Sequence, residues 1–413
     1  LIYPFLQSFQ FNKELKDKKD IKVDGDSIQI FENGEYYIGQ ILNGKKHGNG
    51  IIFDLNWNIK YEGNFVNGEK EGNGKYYYST GEYYIGSWVK GKKQGKGIIY
   101  YSNGNIQYEG DFVNDKREGY CKFILKDGSY YIGLCHDDKH TGNGKYYSKD
   151  GVLIYEGDFV NGKKEGHGKL IYNNGGYYIG QMLDDKRHGK GQEITVNGYL
   201  RYDGNFAYDE KNGFGKLIYD NGRYYIGEFF KGKKHGKGTS FDMDGSIIYE
   251  GNFIDDKKEG EGKLFYQNGN YYIGQLKNDK MHGKGKIYYK EGNIRYDGYF
   301  VNGEREGQGT LYYEDGEYYI GQWKNDKRHG SGTLYYKNGN VQYEGDFVND
   351  KREGEGKQFY DDGQYYFGQF LNNKMHGKGT LNYYSDDINI IYEGDFINGE
   401  KEGNGKLAIV NGN

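Results

Sequence analysis

Histidine is the residue type in this sequence whose spacing most invites a chemical role. Six histidines occupy one repeated position, immediately before a glycine, and successive members are separated by 47 residues or a multiple of 47. They are His47, His188, His235, His282, His329 and His376. Imidazole binds zinc and transfers protons near neutral pH, so histidines lying side by side would suggest a metal site or general acid/base catalysis. Whether they meet depends on the elements that carry them.

A tandem repeat carries the histidines. A Tyr-x-Gly motif recurs at intervals of alternately 24 and 23 residues, with a final interval of 26, so the full unit has 47 residues. Within one hairpin, Tyr319, Gly321 and Trp323 alternate onto one face of a strand. The returning strand places Gly330, Gly332, Leu334 and Tyr336 on the same face. The motif tyrosines are Tyr37, Tyr61, Tyr84, Tyr108, Tyr131, Tyr155, Tyr178, Tyr202, Tyr225, Tyr249, Tyr272, Tyr296, Tyr319, Tyr343, Tyr366 and Tyr392. Each half of the 47-residue unit therefore reads as strand, turn, strand, turn.

The turns between these strands are marked by clusters of asparagine, aspartate and glycine. Residues 325–328 predict a four-residue turn inside one hairpin, and Asn338-Gly339 predicts the turn that leads into the next hairpin. Because loop length fixes which residues share a face, the 23/24 alternation predicts two connector types. One of them, Asp361-Asp362-Gly363, fits a three-residue type I turn with a left-handed glycine. The interval of 26 predicts a bulged loop over Ser385–Asn389.

The composition supports a fold of short strands and tight turns. The 413 residues include 71 glycines, 48 tyrosines and 22 phenylalanines but one proline, which is unlike an ordinary helical or α/β protein. The formal net charge is −4, with acidic and basic residues interleaved, so charge alone does not favour a nucleic acid or an anionic membrane as partner. No apolar run approaches the roughly 18 residues of a spanning helix. Residue 1 is leucine, and we expect the chain to be a piece of a longer protein.

This pattern resembles the MORN repeat family (membrane occupation and recognition nexus) over residues of roughly 28–413. The segment YEGDFVNDKREGEGKQFYDDG at 343–363 matches the family motif nearly end to end, and sixteen consecutive matches make the resemblance specific. The resemblance implies an all-β fold: an elongated, twisted, single antiparallel sheet, a solenoid-like rod of tandem hairpins with an aromatic-lined groove. We expect residues 28–413 to form the array and residues 1–27 to form an N-terminal extension that caps the first open strand edge.

Such a fold would keep the histidines apart. Positions 47 residues apart would lie four strands apart, about 19 Å, whereas zinc ligands converge within about 2 Å of the ion. We therefore predict no metal, no cofactor and no catalytic residue, and expect each histidine to hydrogen-bond locally beside its turn. Carboxylates hold the equivalent place in the alternate hairpins, with Asn212 as the exception, and exposed His–Glu pairs would contribute about 0–1 kcal/mol each. These carboxylates are Glu71, Glu118, Glu165, Glu259, Glu306, Glu353 and Glu402.

Three further features suggest chemistry at first sight. The glycine-rich HGKG and EGEG stretches lack the spacing of a phosphate-binding loop. The turn lysines, such as Lys45-Lys46 and Lys233-Lys234, could touch lipid phosphates, but their interleaving with acidic residues favours solvated turns. Cys121 and Cys135 are predicted to share one face across a turn, as two buried thiols filling an aromatic gap, which is typical of a reducing compartment.

The other face of the sheet carries the candidate binding site. In one hairpin of each unit, a tyrosine and an isoleucine or phenylalanine share this face, whereas the next hairpin is polar there, as at Gln342, Glu344 and Asp346. We name the apolar set the Tyr/Ile ladder. Its members are Tyr36, Ile38, Tyr83, Ile85, Tyr130, Ile132, Tyr177, Ile179, Tyr224, Ile226, Tyr271, Ile273, Tyr318, Ile320, Tyr365 and Phe367. Two interpretations remain open: sheet twist buries these residues against one another, or they dock another protein or a second copy.

These features favour a non-enzymatic scaffold whose partners are other proteins of a large assembly, with a homodimer as a further option and no nucleic acid. The resemblance extends to radial spoke head proteins of cilia and to cytoskeletal scaffolds, which implies an intracellular location in a ciliary axoneme or the cytoskeleton. One alternative is a phospholipid-binding, membrane-tethering module, which the net charge of −4 disfavours. The other is the regulatory MORN arm of a larger enzyme, such as a phosphatidylinositol phosphate kinase.

Overall fold

The fold consists of β-strands joined by short turns. A computed structural model describes residues 20–23, 26–31, 33–385 and 388–410, and these contain 34 strands and no helix. Consequently, no helix in the described part of the chain is long and apolar enough to cross a membrane. The chain divides into two units, residues 1–209 and 210–413, which are described in turn.

The first unit holds seventeen strands. They are β1 (Asp20–Val23), β2 (Asp26–Ile30), β3 (Tyr36–Leu42), β4 (Lys45–Phe53), β5 (Ile59–Val66), β6 (Glu69–Tyr77), β7 (Tyr83–Val89), β8 (Lys92–Tyr100), β9 (Ile106–Val113), β10 (Lys116–Ile124), β11 (Tyr130–His136), β12 (Lys139–Tyr147), β13 (Leu153–Val160), β14 (Lys163–Ile171), β15 (Tyr177–Leu183), β16 (Lys186–Ile194) and β17 (Leu200–Ala207). Within the unit, consecutive strands pair antiparallel, as β6 does with β5 and β7.

The second unit holds the other seventeen strands. They are β18 (Glu210–Ile218), β19 (Tyr224–Phe230), β20 (Lys233–Phe241), β21 (Ile247–Ile254), β22 (Lys257–Phe265), β23 (Tyr271–Lys277), β24 (Lys280–Tyr288), β25 (Ile294–Val301), β26 (Glu304–Tyr312), β27 (Tyr318–Lys324), β28 (Lys327–Tyr335), β29 (Val341–Val348), β30 (Lys351–Phe359), β31 (Tyr365–Leu371), β32 (Lys374–Ser385), β33 (Ile388–Ile397) and β34 (Glu400–Val410). The same antiparallel pairing of consecutive strands runs through it. The predicted fold class, an all-β antiparallel sheet of tandem hairpins, is confirmed.

A column of tyrosines forms the core on one face of each sheet, which we call the inner face. Tyr319 is fully buried, and its hydroxyl donates a hydrogen bond to the carbonyl oxygen of Gln322 at 3.1 Å. Its ring lies across the strand pair, so a Cβ added at Gly332 would come within 2.2 Å of the hydroxyl oxygen. The ring meets Trp323 and Phe347 edge to face, at centroid distances of 5.4 and 5.2 Å. Such pairs contribute about 0.5–1.5 kcal/mol each beyond area burial, so the aromatic column replaces a thick core.

The turn inside each hairpin is shorter than predicted. Lys324 pairs directly with Lys327, which leaves a two-residue turn of Asn325 and Asp326 at φ angles of 49° and 65°. Two left-handed residues define a type I′ turn, whose twist matches that of the strands, and asparagine and aspartate tolerate this conformation better than most residues. The four-residue turn predicted for 325–328 is therefore wrong in length.

The connectors between hairpins share one turn from Phe31–Glu35 as far as Tyr360–Gln364. The amide of Tyr336 donates to the carbonyl of Asn340, and that of Gly339 donates back to Tyr336. The connector at 360–364, with Gly363 at φ 86°, bonds in the same way, so the three-residue turn predicted there is confirmed. The extra residue of the longer interval instead forms a β-bulge, because Leu334 pairs with Tyr343 while Tyr335 pairs with Val341. The predicted alternation of two connector types is therefore wrong: the bulge alternates and the turn does not.

The two ends of the array extend the same pairing. β2 pairs with β3, and β1 covers the far edge of β2. The remaining residues of the predicted N-terminal cap, 1–19 and 24–25, lie outside the described residues. Near the other end, β32 and β33 pair without a register shift as far as Ser385 and Ile388. The bulge predicted over 385–389 is absent from these described strands, and residues 386–387 lie outside them.

Candidate binding surface

The Tyr/Ile ladder lies on the outer face, opposite the tyrosine column, and its tyrosines are held by their own repeat. Tyr271 is half-buried and stacks on Tyr288 of the next strand, with ring centroids 4.8 Å apart and planes 9° apart. On its other side, the ammonium of Lys263 from the preceding strand lies 4.3 Å from the ring centroid. Cation–π contact and stacking thus occupy both faces of the ring. Tyr83, Tyr130 and Tyr224 have the same two contacts, so these four tyrosines form a backing layer without a free ring face for a partner.

The aliphatic residues of the ladder are its exposed part. The exposed fractions of Ile85, Ile179, Ile273 and Ile320 are 41, 46, 40 and 43%, and that of Phe367 is 38%. Ile132 and Ile226 are half-buried. The five exposed side chains therefore follow one another at intervals of 94, 94, 47 and 47 residues. The first of the two interpretations was that the ladder residues bury one another. It does not hold for the five exposed residues.

The first pair of the ladder differs from the others because other residues cover it. Ile38 is only 8% exposed and packs with Ile28 and Phe53. Tyr36 stacks on Trp57, with ring centroids 4.3 Å apart. Trp57 takes the place of the left-handed glycine in its connector, with φ at 65°.

The polar hairpins between the ladder pairs carry ion pairs on the same face. Lys145 and Glu156 lie 3.0 Å apart, and Lys286 and Asp297 lie 2.9 Å apart. Their side chains are about a third to nearly half exposed, so each pair contributes only about 0–1 kcal/mol to stability. Their effect is to separate the exposed aliphatic residues by hydrated surface.

The repeated histidines lie where predicted, beside their turns, but the local hydrogen bond expected of them is not found at Nδ1. The Nδ1 atoms of all six are buried and have no hydrogen-bond partner. In the alternate hairpins, the equivalent carboxylate accepts a hydrogen bond from the first amide of the next turn, as Glu306 does from Asn325 at 3.0 Å. The described residues contain no group of three metal-binding side chains, so the histidines are not drawn together.

A row of cations on the inner face was not anticipated from the sequence. The second residue after each two-residue turn is usually basic, and its side chain lies over the aromatic column. The guanidinium carbon of Arg328 is 5.0 Å from the centroid of Phe347, and its Nε donates to Asp350 at 3.2 Å. Burial lowers the pKa of Lys258, and the Asp279 carboxylate opposes that shift. The prediction of solvated turn lysines thus holds for the exposed first lysine of each pair and is wrong for the half-buried second one, such as Lys46.

We call these residues the basic row: Lys46, Lys70, Lys93, Arg117, Lys164, Arg187, Lys211, Lys234, Lys258, Arg305, Arg328, Arg352 and Lys401. Eight members donate their backbone amide to an aspartate, the second residue of the next turn, as Lys93 does to Asp115 at 2.9 Å. Where that turn residue is glycine, no such carboxylate exists. The three uncharged residues at this position, His140, Met281 and Met375, all precede such a glycine. A basic residue 21 or 22 positions before an aspartate is the sequence signal that could have revealed the row.

The two cysteines form a disulfide across β10 and β11. Both are buried, as predicted, but the expectation of two free thiols is wrong. The two cysteines occupy the place of a recurrent glycine–tryptophan contact. In that contact, Trp88 Nε1 donates to the carbonyl of Gly74 at 3.4 Å. Gly74 and Trp88 are 14 positions apart in the sequence, as Cys121 and Cys135 are. The register that brings tryptophan against glycine therefore brings Cys135 against Cys121.

Fold and surface together define a tandem β-hairpin repeat protein with an aromatic core and a periodic apolar surface. The MORN repeat model matches sixteen consecutive segments, and the chain belongs to the MORN repeat family. The segments are residues 37–53, 61–83, 84–106, 108–130, 131–152, 155–177, 178–198, 202–222, 225–247, 249–271, 272–294, 296–318, 319–341, 343–365, 366–388 and 392–413.

Comparison with individual proteins adds little to this assignment. No curated protein matches the sequence. Among solved structures, the chain matches a protein of unknown function from Bacteroides caccae at 14% identity, over 61% of this chain and 90% of that one, with a TM-score of 0.14.

Proposed function

We propose that this MORN-repeat chain is a non-enzymatic scaffold that holds protein partners on the exposed aliphatic residues of the Tyr/Ile ladder. The observation that carries the proposal is the repeated exposure of one apolar side chain on a stacked tyrosine base, as at Ile273 above Tyr271 and Tyr288. A rigid aromatic base lowers the entropy lost when a partner packs against the isoleucine. Polar hairpins lie on either side, and Lys286, which pairs with Ile273 across the strands, forms an ion pair with Asp297, so the contact has the polar rim common in protein interfaces.

The period of the ladder supports a partner with several contact points. Ladder residues in neighbouring units of the repeat are four strands apart, which corresponds to about 19 Å within one sheet. One isoleucine buries too little surface for a stable complex, but several engaged together raise the affinity through effective concentration. Partners that are themselves repetitive, or a second copy of the chain, suit such spacing.

The polar side chains of the repeat support a structural role. Arg328 is engaged by Asp350, and Glu306 by the amide of Asn325, so these groups stabilise the stacking of successive hairpins. We infer a place in a ciliary, radial-spoke-like or cytoskeletal assembly, which rests on resemblance to long MORN arrays.

Two alternatives have direct tests. If the chain is a membrane-tethering module, it should float with liposomes that contain anionic phospholipid at physiological salt. In the regulatory arm of a phosphatidylinositol phosphate kinase, the full-length reading frame would continue into a catalytic domain.

Site-specific photo-crosslinking in cells tests the scaffold proposal. A photoreactive phenylalanine analogue at Ile273 is expected to crosslink a protein partner, because that side chain is exposed on the ladder. The matched control carries the same analogue at Glu250, in the polar hairpin of the same face. Equal crosslinking from both positions, or none from Ile273, Ile179 and Ile320 alike, would contradict the proposal.

The triple variant Ile179→Asp, Ile273→Asp and Ile320→Asp extends this test. It is expected to release the crosslinked partner while its circular dichroism stays that of the parent, because the three residues are exposed. The control variant Glu156→Gln, Glu250→Gln and Glu344→Gln should retain the partner. Release by the control alone would place the binding surface on the polar hairpins instead.

A further inference from the structure

A groove of about 610 Å³ crosses the outer face of the first unit from β8 to β11. One row of residues paired across these strands lines it, in the order Ile98, Glu109, Lys122 and Ile132. Tyr120, which is 64% exposed, flanks the row. We call these five residues the β8–β11 groove. Ile132 belongs to the Tyr/Ile ladder and Ile98 lies opposite the preceding ladder isoleucine, so the groove connects two successive ladder pairs.

The carboxylate in this row lacks a cation that its counterpart has. In the next row, Lys145 forms an ion pair with Glu156 at 3.0 Å. Ile98 occupies the place of that lysine beside Glu109. The ammonium of Lys122 lies over a ladder tyrosine, 4.9 Å from the ring centroid, and no described residue forms an ion pair with Glu109. A cation is therefore the complement that the groove lacks.

The preceding row carries the same order of residue types, but its groups are already engaged. The Tyr77 hydroxyl donates to the carboxylate of Glu62 at 3.2 Å, and Ile51 packs against the buried cluster at the start of the array. Asn73 holds the place of Tyr120 there. In the second unit, threonine or lysine takes the place of the isoleucine. An unpaired carboxylate between two accessible apolar residues thus distinguishes the β8–β11 groove.

The length of the row identifies the conformation of a segment that would fill it. Ile98 and Ile132 are three strands apart, about 14 Å. In an extended chain, residues i and i+4 lie on one side and are about 13 Å apart. In a helix, 14 Å corresponds to about nine residues, and these lie on opposite sides because each residue turns by about 100°. The row therefore fits an extended segment.

We propose that the β8–β11 groove binds an extended segment of a partner protein, with aliphatic side chains at positions i and i+4 and a lysine or arginine at i+2. The aliphatic side chains contact Ile98 and Ile132, and the cation between them pairs with Glu109. The apolar side chains of the groove expose on the order of 200 Å², well below the roughly 800 Å² that each partner contributes to a stable dimer, which favours a short segment over a second copy. This proposal rests on the scaffold function and narrows its partners to one class of sequence.

A peptide of that class tests the proposal. The intact chain is titrated into a fluorescein-labelled peptide with the core Leu-Thr-Arg-Thr-Leu, and binding is followed by fluorescence anisotropy. Saturable binding is expected, and Ile98→Lys should weaken it at least about tenfold, because the new lysine pairs with Glu109 as Lys145 does with Glu156. Glutamate in place of the peptide arginine should weaken it similarly. Absence of saturation up to about 1 mM, or undiminished binding after either change, would overturn the proposal.

A gain-of-function variant tests the cause. Lys145→Ile removes the cation from Glu156 and gives the next row, which ends at ladder residue Ile179, the same order of residue types. Lys169 of that row already lies over a ladder tyrosine, 4.0 Å from the ring centroid. We expect the peptide to bind this variant at a second site, and an unchanged stoichiometry would contradict the role assigned to the lysine. Isoleucine and lysine both occur at this position of the repeat, so the circular dichroism should stay that of the parent.

The outcomes separate this proposal from the scaffold function. Crosslinking at Ile273 takes place in the second unit and does not involve the groove. If a partner crosslinks there but the peptide does not bind, the groove proposal is wrong and the scaffold function remains. If the peptide binds but no ladder position crosslinks a protein, the scaffold function is wrong.

Discussion

The third and seventh strands of the chain carry the same motif, YYIG, yet present it differently. In β3 the ladder isoleucine, Ile38, is 8% exposed, whereas its counterpart in β7, Ile85, is 41% exposed. The strand before each accounts for the difference. Ile38 faces Ile28 of β2, but Ile85 faces Lys75 of β6. Exposure of the ladder is therefore set by the neighbouring hairpin and not by the motif.

The connector that follows adds to the contrast. After β4 the left-handed position is Trp57, which stacks on Tyr36, whereas after β8 it is Gly104. A left-handed conformation costs a non-glycine residue about 1–2 kcal/mol. That cost is offset here by aromatic packing with Tyr36 and Phe53. The first hairpins thus show what covers a ladder pair: one aliphatic neighbour and one aromatic ring, the chemistry that we expect of a partner elsewhere.

Aspartate at the two isoleucines should give the largest contrast. Ile38→Asp buries an unpaired charge and is expected to lower the local free energy of unfolding by about 4 kcal/mol. Ile85→Asp places its charge in solvent and should change it by less than about 1 kcal/mol. Hydrogen exchange of the β3 and β7 amides measures the local free energy of unfolding in both variants, because repeat proteins open locally.

Ile38→Val and Ile85→Val serve as controls. They preserve the apolar surface, so each should change the local free energy of unfolding little. If the two aspartate variants lose the same protection, then the difference in exposure between Ile38 and Ile85 does not exist in solution.

Removal of the aromatic cover should have an intermediate effect. Trp57→Gly gives up the packing of a half-buried indole, about 3 kcal/mol, and regains about 1 kcal/mol from the relieved backbone. A net loss of about 2 kcal/mol is expected at β3 and β4, again by hydrogen exchange. Increased protection there would mean that the strain at Trp57 exceeds the packing it provides.

Much of this molecule could be read from its sequence because the repeat fixes it. The alternation of Tyr319, Gly321 and Trp323 placed the motif tyrosines on one face of the sheet. This placement follows from the period of a strand, which holds wherever pairing is regular. The same regularity placed the ladder opposite the column.

The errors arose where one residue changes local geometry. The extra residue of the 24-residue interval could enter the turn or the strand, and both solutions restore the register, so spacing alone could not identify the bulge between Leu334 and Tyr335. The basic row was missed because the side chains of Arg328 and Asp350 come together across two hairpins. Likewise, the burial of Ile38 depends on β2, which lies outside the repeat motif.

Substitution of Lys75 has the smallest expected effect and tests the cause of the difference between β3 and β7 most directly. Lys75→Ile gives β7 the neighbour that β3 has in Ile28, so an aliphatic pair with Ile85 should form across the strands. Such pairs contribute about 0.2–1 kcal/mol, and part of this gain is lost with the cation–π contact of Lys75 to Tyr83, whose centroid is 4.4 Å away.

A gain of about 0.5 kcal/mol in the protection of β7 amides is therefore expected for Lys75→Ile. Lys75→Gln is its control, because it removes the charge without adding an apolar surface, and should give no gain. If the glutamine variant stabilises β7 as much as the isoleucine variant does, then the ladder pair is exposed because of the lysine charge. If only isoleucine stabilises it, then the pair lacks an apolar neighbour, which in the rest of the ladder a bound partner would have to supply.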